Sequence, residues 1–152
     1  MHFKINIQLK TNLINMKRKG EAFWTGTGKD GHGHLTTQSK VLNETQYSFS
    51  SRFENGIGTN PEELIAAAHA GCFTMKLAFI LQSKNYKAES LNTTCQITLD
   101  DGSITQSHLV LDAKVNGISK SEFEESVKDA ELNCPISKLL DTEITVDFTL
   151  NS

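Results

Sequence analysis

Arginine and proline are scarce in this sequence: of 152 residues, only Arg18 and Arg52 carry a guanidinium and only Pro61 and Pro135 lock the backbone. With lysines scattered and a net charge of -3, there is no basic stripe to neutralise phosphates, which argues against a nucleic-acid partner. Long apolar runs are missing as well. No eighteen consecutive residues are apolar and uncharged, so nothing reads as a membrane span and a soluble protein is expected. Residues 1–15 are basic but lack the continuous apolar core and small-residue cleavage site of a secretory signal. Cys72, Cys95 and Cys134 make an odd count without the dense spacing of a secreted disulfide scaffold, which favours a reducing, cytoplasmic setting. No CxxC or HExxH occurs, and His32 and His34 in a glycine turn need further ligands from elsewhere, so no metal is expected. Gly26-Thr27-Gly28 lacks the full dinucleotide pattern and its βαβ context, and no cofactor is expected.

What is present fits one domain with a single core, at 38% apolar residues. Phe3, Ile5, Ile7 and Leu9 alternate with polar residues as a short edge strand would. Gly20 to Val41 reads as two antiparallel strands around the GHGH turn, Gly31 to His34. Tyr47, Phe49, Ser51 and Phe53 share one parity, so a third strand would send Arg52 to the opposite face. Asn60, Pro61 and Glu63 then supply an N-cap, a first-turn proline and a capping-box acid, and a helix is expected from Pro61 to about Lys84. Its residues 64–81 are apolar almost all round, the mark of a buried helix, often inside an assembly larger than one chain. Asp101-Gly102 turns a hairpin of 86–100 and 104–116. Ser119 and Glu122 open a helix through about Leu132, Pro135 starts a short one, and 143–150 alternates as a last strand. The order argues an α+β domain with antiparallel sheets.

The cysteines carry the chemistry worth weighing. Cys72, mid-helix among Ala66, Ala67, Ala68, Ala70 and Gly71, reads either as a small core hydrophobe or as a thiol that a substrate can approach closely; His69 lies one turn away. Cys134 stands at the N-cap of a proline-started turn, where the helix dipole lowers a thiol pKa. Cys72 has no such help and needs a cation, for which Arg52 is the best candidate. Glu63 is accounted for by capping, whereas Glu62 has no capping duty. Cys95, in strand-type sequence, reads as structural.

The run YSFSSRFENGIGTNPEELIAAAHAGCFTMKLAF (47–79) with LNCPISKLL (132–140) resembles the osmotically inducible protein C family, OsmC, related to the organic hydroperoxide resistance proteins. GEAFWTG near the start and EITVDFTL at the end extend the likeness from about Lys17 to the C-terminus, leaving residues 1–16 as an N-terminal extension and 17–152 as one domain. The resemblance implies an α+β fold with a long central helix, an intertwined homodimer, and a thiol peroxidase of organic hydroperoxides without metal or haem. By motif, Cys72 in AHAGCF matches the peroxidatic cysteine and Cys134 in NCP the resolving one, while Arg52 and Glu62 match the charged pair that supports the thiolate. The glycine turn TGTGKDGHGH holds no arginine, as in the OsmC branch. The implied reductant is an external thiol, with a dithiol such as a lipoyl group suggested by the family, and the implied setting is oxidative or osmotic stress defence.

Two other readings compete: a dimer whose apolar cleft holds a hydrophobic ligand, its cysteines mere packing, and a metal site of Cys72, His69 and Cys134. Neither uses the Arg52 and Glu62 pair. Helix geometry adds a constraint. In a straight helix, the ten residues from Glu62 to Cys72 span about 15 Å and roughly 1000° of rotation, so the two cannot share a site within one chain. Either the helix bends sharply between them, for which it has no proline or early glycine, or Glu62 is expected to serve the cysteine of a partner chain in a homodimer, with Arg52 acting from either chain.

Overall fold

The computed structural model describes residues 15–152; the alternating Phe3 to Leu9 segment lies outside the described residues. The chain runs β1 (Gly20–Thr25), β2 (His32–Thr37), β3 (Thr45–Ser48), α1 (Phe49–Phe53), α2 (Pro61–Ser83), β4 (Ala88–Asp100), β5 (Ser103–Val115), α3 (Lys120–Asn133), α4 (Pro135–Leu139) and β6 (Glu143–Leu150). Two three-stranded sheets form, in the orders β1-β2-β3 and β4-β5-β6. The first is antiparallel throughout. In the second, β4 and β5 form the expected hairpin, whose Asp101 and Gly102 both have positive φ, 46° and 77°. That is the requirement of a two-residue hairpin turn matched to strand twist. β6, however, pairs parallel to β5 after the α3–α4 crossover, a direction that alternation alone does not encode.

The core lies between this second sheet and the helices. β5 sends Leu109, Leu111, Ala113 and Val115 inward on one parity. α2 meets them with Phe73, Leu77, Ile80 and Leu81, an i, i+4, i+7, i+8 stripe, and α3 with Phe123, Val127 and Ala130. Phe123 packs edge-on to Phe148 of β6, with centroids 5.2 Å apart.

Further expectations need correction. His32, Gly33 and His34 of the GHGH run lie in β2 and pair with Thr25, Trp24 and Phe23, so the turn precedes them. The strand through Tyr47 stops at Ser48, and Arg52 sits on a helix instead. Ser51 N–H donates to Ser48 Oγ at 3.2 Å and Ser48 N–H donates to Ser51 Oγ at 2.8 Å, a reciprocal cap that closes the turn. Phe49 and Phe53, at i and i+4, then pack with centroids 4.9 Å apart. As its apolar circumference implied, α2 is not covered on every face by its own chain. Met75 is 64% and Phe79 61% exposed, and Ala67, Ala68, Gly71 and Ala78 are exposed beside them. An eighteen-residue window of α2 has a mean hydropathy of 1.7, long and apolar enough to cross a membrane, although only 28% of it is buried within the chain. The uncharged-run criterion missed this because His69 and Lys76 interrupt it. Its Phe73 to Leu81 stripe nonetheless forms the centre of the core.

Candidate active site

Cys72 and Cys134 meet. Pro135, which can neither donate an N–H nor continue α3, forces the chain to restart, so Cys134 ends α3 and precedes α4 in extended backbone. It is fully buried. Its Sγ lies 2.7 Å from Cys72 Sγ and donates to it, against about 2.05 Å in a disulfide. Little motion separates the two thiols from a bond.

Burial, and after it the close Cys134 sulfur, with which Cys72 shares its proton, push the Cys72 thiol up to about 11. The Ile136 backbone N–H and the Lys76 ammonium pull in the opposite direction. Both helpers have local causes. Ile136 is the second residue of α4, and a helix leaves its early N–H groups without internal partners; Pro135 has none to offer, so the first free amide reaches Cys72. Lys76 is four residues on from Cys72, on the same face. The short helix thus directs an amide at Cys72, while Cys134 makes no side-chain capping bond.

Arg52 and Glu62 also meet, within one chain. Arg52 Nε donates to Glu62 Oε1 and Oε2 at 3.0 and 3.2 Å, and Nη2 to Oε1 at 2.6 Å. Glu62 is the largest influence on Arg52 and holds it more firmly charged. The scaffold behind the pair is polar: Ser51 Oγ donates to Thr59 O, Asn60 Nδ2 to Ser51 O, and Glu63 N–H to the capping Asn60. Glu63 does not reach back to the cap backbone as expected; it accepts from Thr59 Oγ1 at 2.6 Å. The guanidinium also lies 4.9 Å from the Phe53 ring. The pair borders an open groove of about 490 Å³, with Ile65, Leu99, Leu139 and Leu140 among its walls.

The structure does not bring these two pairs together. α2 is one continuous helix with Glu62 in its first turn and Cys72 ten residues on, and Arg52 is absent from the groups acting on the Cys72 thiol. His69 is wholly buried, its Nδ1 2.6 Å from Ser107 Oγ and its Nε2 2.8 Å from Ser137 Oγ. Both ring nitrogens therefore face hydroxyls, not a metal with Cys72 and Cys134. Cys95 Sγ lies 3.3 Å from Ser107 Oγ, and burial raises its thiol. His34 stacks on Phe23 at 5.1 Å. Sequence reasoning missed the Ile136 amide, Lys76 and the two serines on His69. The Pro135 position and the i, i+4 spacing signal the first two; nothing local signals the serines.

Comparison with known proteins gives a consistent result. The model of the family described as OsmC-like protein matches residues 53–149. Peroxiredoxin OsmC of Escherichia coli K12 is 41% identical over 143 residues, covering 91% of this chain and all of that protein. An organic hydroperoxide resistance protein-like 1 of Staphylococcus saprophyticus is 32% identical over 130 residues, covering 83% of this chain and 91% of the relative. Among solved structures, an OsmC-like protein of unknown function from Vibrio cholerae superposes with a TM-score of 0.67 at 17% identity, covering 89% of this chain and 100% of that one. OhrB, an organic hydroperoxide resistance protein of Bacillus subtilis, gives 0.61 at 23% identity, with 88% and 98% covered. At these identities the structural matches speak to the fold.

Proposed function

The chain belongs to the OsmC-like protein family, and we propose that it is a cysteine-based peroxidase of organic hydroperoxides acting in stress defence. The observation that carries this reading is the 2.7 Å approach of Cys72 and Cys134, which supplies an attacking thiol and its partner in one place. The Cys72 thiolate attacks one peroxide oxygen, the O–O bond breaks, and an alkoxide leaves to be protonated to the alcohol. Cys72 is left as a sulfenic acid. Cys134 attacks that sulfur, the S–O bond breaks, and the hydroxyl departs as water with the Cys134 proton. An external dithiol, of which a lipoyl group is one example, reduces the disulfide by exchange and is itself oxidised to a disulfide.

A thiol pushed up to about 11 is protonated at neutral pH and needs a cation. Among the described residues of one chain, Lys76 is the cation acting on it. The working unit of this proposal is therefore a homodimer in which residues 17–152 form one domain and the Arg52–Glu62 pair of each chain serves the cysteines of the other. The exposed apolar stripe of α2, Met75 and Phe79 included, supports a partner surface there. A reducing, cytoplasmic location suits free thiols in this role.

One equivalent of an organic hydroperoxide should yield a chain lighter by about 2 mass units, since a disulfide removes two hydrogens, with a Cys72–Cys134 crosslinked peptide. A disulfide to Cys95, or intact peroxide in the presence of excess dithiothreitol, would overturn the assignment. Mixing Cys72→Ser chains with Glu62→Ala chains should restore turnover in the heterodimer. No restoration despite proven chain exchange would sink the shared site.

A further inference from the structure

We infer that His69 is a positioning residue for the second chemical step: through Ser137 it holds the α4 segment so that Cys134 meets Cys72. The inference rests on the two-cysteine relay proposed above and adds a residue that the relay does not name.

The geometry is a pair of rungs. His69 and Cys72 are three residues apart on α2, hence on one face. Cys134 and Ser137 are three apart on the opposing segment. One rung joins the two sulfurs at 2.7 Å and the other joins His69 Nε2 to Ser137 Oγ at 2.8 Å. The second rung is anchored from behind, because His69 Nδ1 is 2.6 Å from Ser107 Oγ on β5, which is itself wholly buried. Burial favours the neutral imidazole, and a neutral ring donates from one nitrogen and accepts at the other. A serine hydroxyl satisfies either role.

α4 needs such an anchor. Five residues make little more than one turn, too short to persist without tertiary support. Ser137 follows Ile136, whose amide reaches Cys72, and lies one turn beyond Cys134; fixing Ser137 fixes both. The requirement is sharpest after the first step, when the sulfenic oxygen sits on Cys72 and Cys134 must attack that sulfur as the S–O bond breaks and water leaves. If the α4 segment drifts, the sulfenic acid persists, and a second hydroperoxide oxidises it to sulfinic acid while itself becoming the alcohol.

Two isosteric replacements separate the arms of the ring. His69→Gln can place an amide where Nε2 stood and keep the Ser137 arm; His69→Asn can replace Nδ1 and keep only the Ser107 arm. The full chain is given one equivalent of cumene hydroperoxide, quenched over time by alkylation, and analysed by mass spectrometry for sulfenic acid, disulfide and sulfinic acid. His69→Asn and Ser137→Ala should form the sulfenic acid at the wild-type rate but close the disulfide about three- to tenfold more slowly, the factor one hydrogen bond carries. Sulfinic Cys72 should accumulate in both at excess hydroperoxide. His69→Gln and Ser107→Ala should close within about twofold of wild type, as their Ser137 contact survives or is only indirectly loosened. Equal closure rates in Ser137→Ala and wild type, or equal slowing by Asn and Gln, would overturn the inference. If the His69 variants fail to fold, the serine pair decides alone. A wild-type chain that forms no Cys72–Cys134 disulfide would instead remove the relay, and this inference with it.

Discussion

The two sheets of this protein live under different conditions. The sheet β4-β5-β6 is closed over by α2 and α3, and its inward residues Leu109, Leu111, Ala113 and Val115 are buried by the chain's own helices. Among the described residues the sheet β1-β2-β3 has no such cover: Phe23 is exposed, and Trp24 packs against Tyr47 with centroids 5.1 Å apart. The candidate chemistry divides along the same line, with the thiols in the closed half and the arginine on α1 beside the open one. One half is finished within the chain. The other, together with the bare stripe of α2, leaves apolar surface exposed, which is where the proposed homodimer would form.

The comparison can be broken most decisively at the sulfur. Cys72→Ser should abolish hydroperoxide consumption, whereas Cys134→Ser should permit one attack and then irreversible overoxidation; peroxide loss and intact mass read both. Next in size is a contrast on α2 itself. Leu77→Ala, in the closed core, should cost about 2–5 kcal/mol by denaturant unfolding. Phe79→Asp, on the bare stripe two residues later, should leave the secondary structure intact but give a monomer in sedimentation. If Phe79→Asp unfolds the chain without changing its association, the stripe belongs to the core and the comparison fails.

A smaller effect tests the open half. Arg52→Met should move the pH midpoint of Cys72 alkylation upward by about one to three units, the range for loss of a neighbouring opposite charge. Its limit is the value near 11 that burial and Cys134 set within one chain. An upward midpoint means less thiolate at neutral pH and slower attack. An unchanged midpoint removes Arg52 from the chemistry. The smallest effect is expected of Cys95→Ser, whose sulfur touches Ser107 and lies outside the relay; peroxide turnover should stay within about twofold of wild type, since surroundings rather than reacting atoms change.

Legibility followed the range of the forces. Asn60-Pro61, Asp101-Gly102, Ser119 and Cys134-Pro135 impose their turns and caps through neighbouring backbone, and the elements they bound stand where the sequence indicates. Arg52 did not, because a Ser48–Ser51 box closes a helical turn without the acidic residue that usually signals one. The parallel pairing of β6 was hidden because an alternating strand reads alike in both directions. In the site, motif resemblance picked out both charged and sulfur pairs, and helix geometry kept Glu62 away from Cys72 of its own chain. The serines that hold His69 stand 38 and 68 residues from it, so only the folded chain reveals them.

In the proposed cycle the Cys72–Cys134 disulfide forms and is reduced at every turnover, and the place of that link matters for endurance. Cys134 stands between two helices, its N–H bonded to Ala130 O and its carbonyl to Lys138 N–H, with its own backbone extended at φ -62° and ψ 129°. Its side chain has no capping bond to give up. The sulfur can therefore swing between thiol and disulfide by rotating about its own Cα–Cβ bond, while the hydrogen bonds of α3 and α4 stay made. The cycle wears on a rotamer, and the helices on either side are spared.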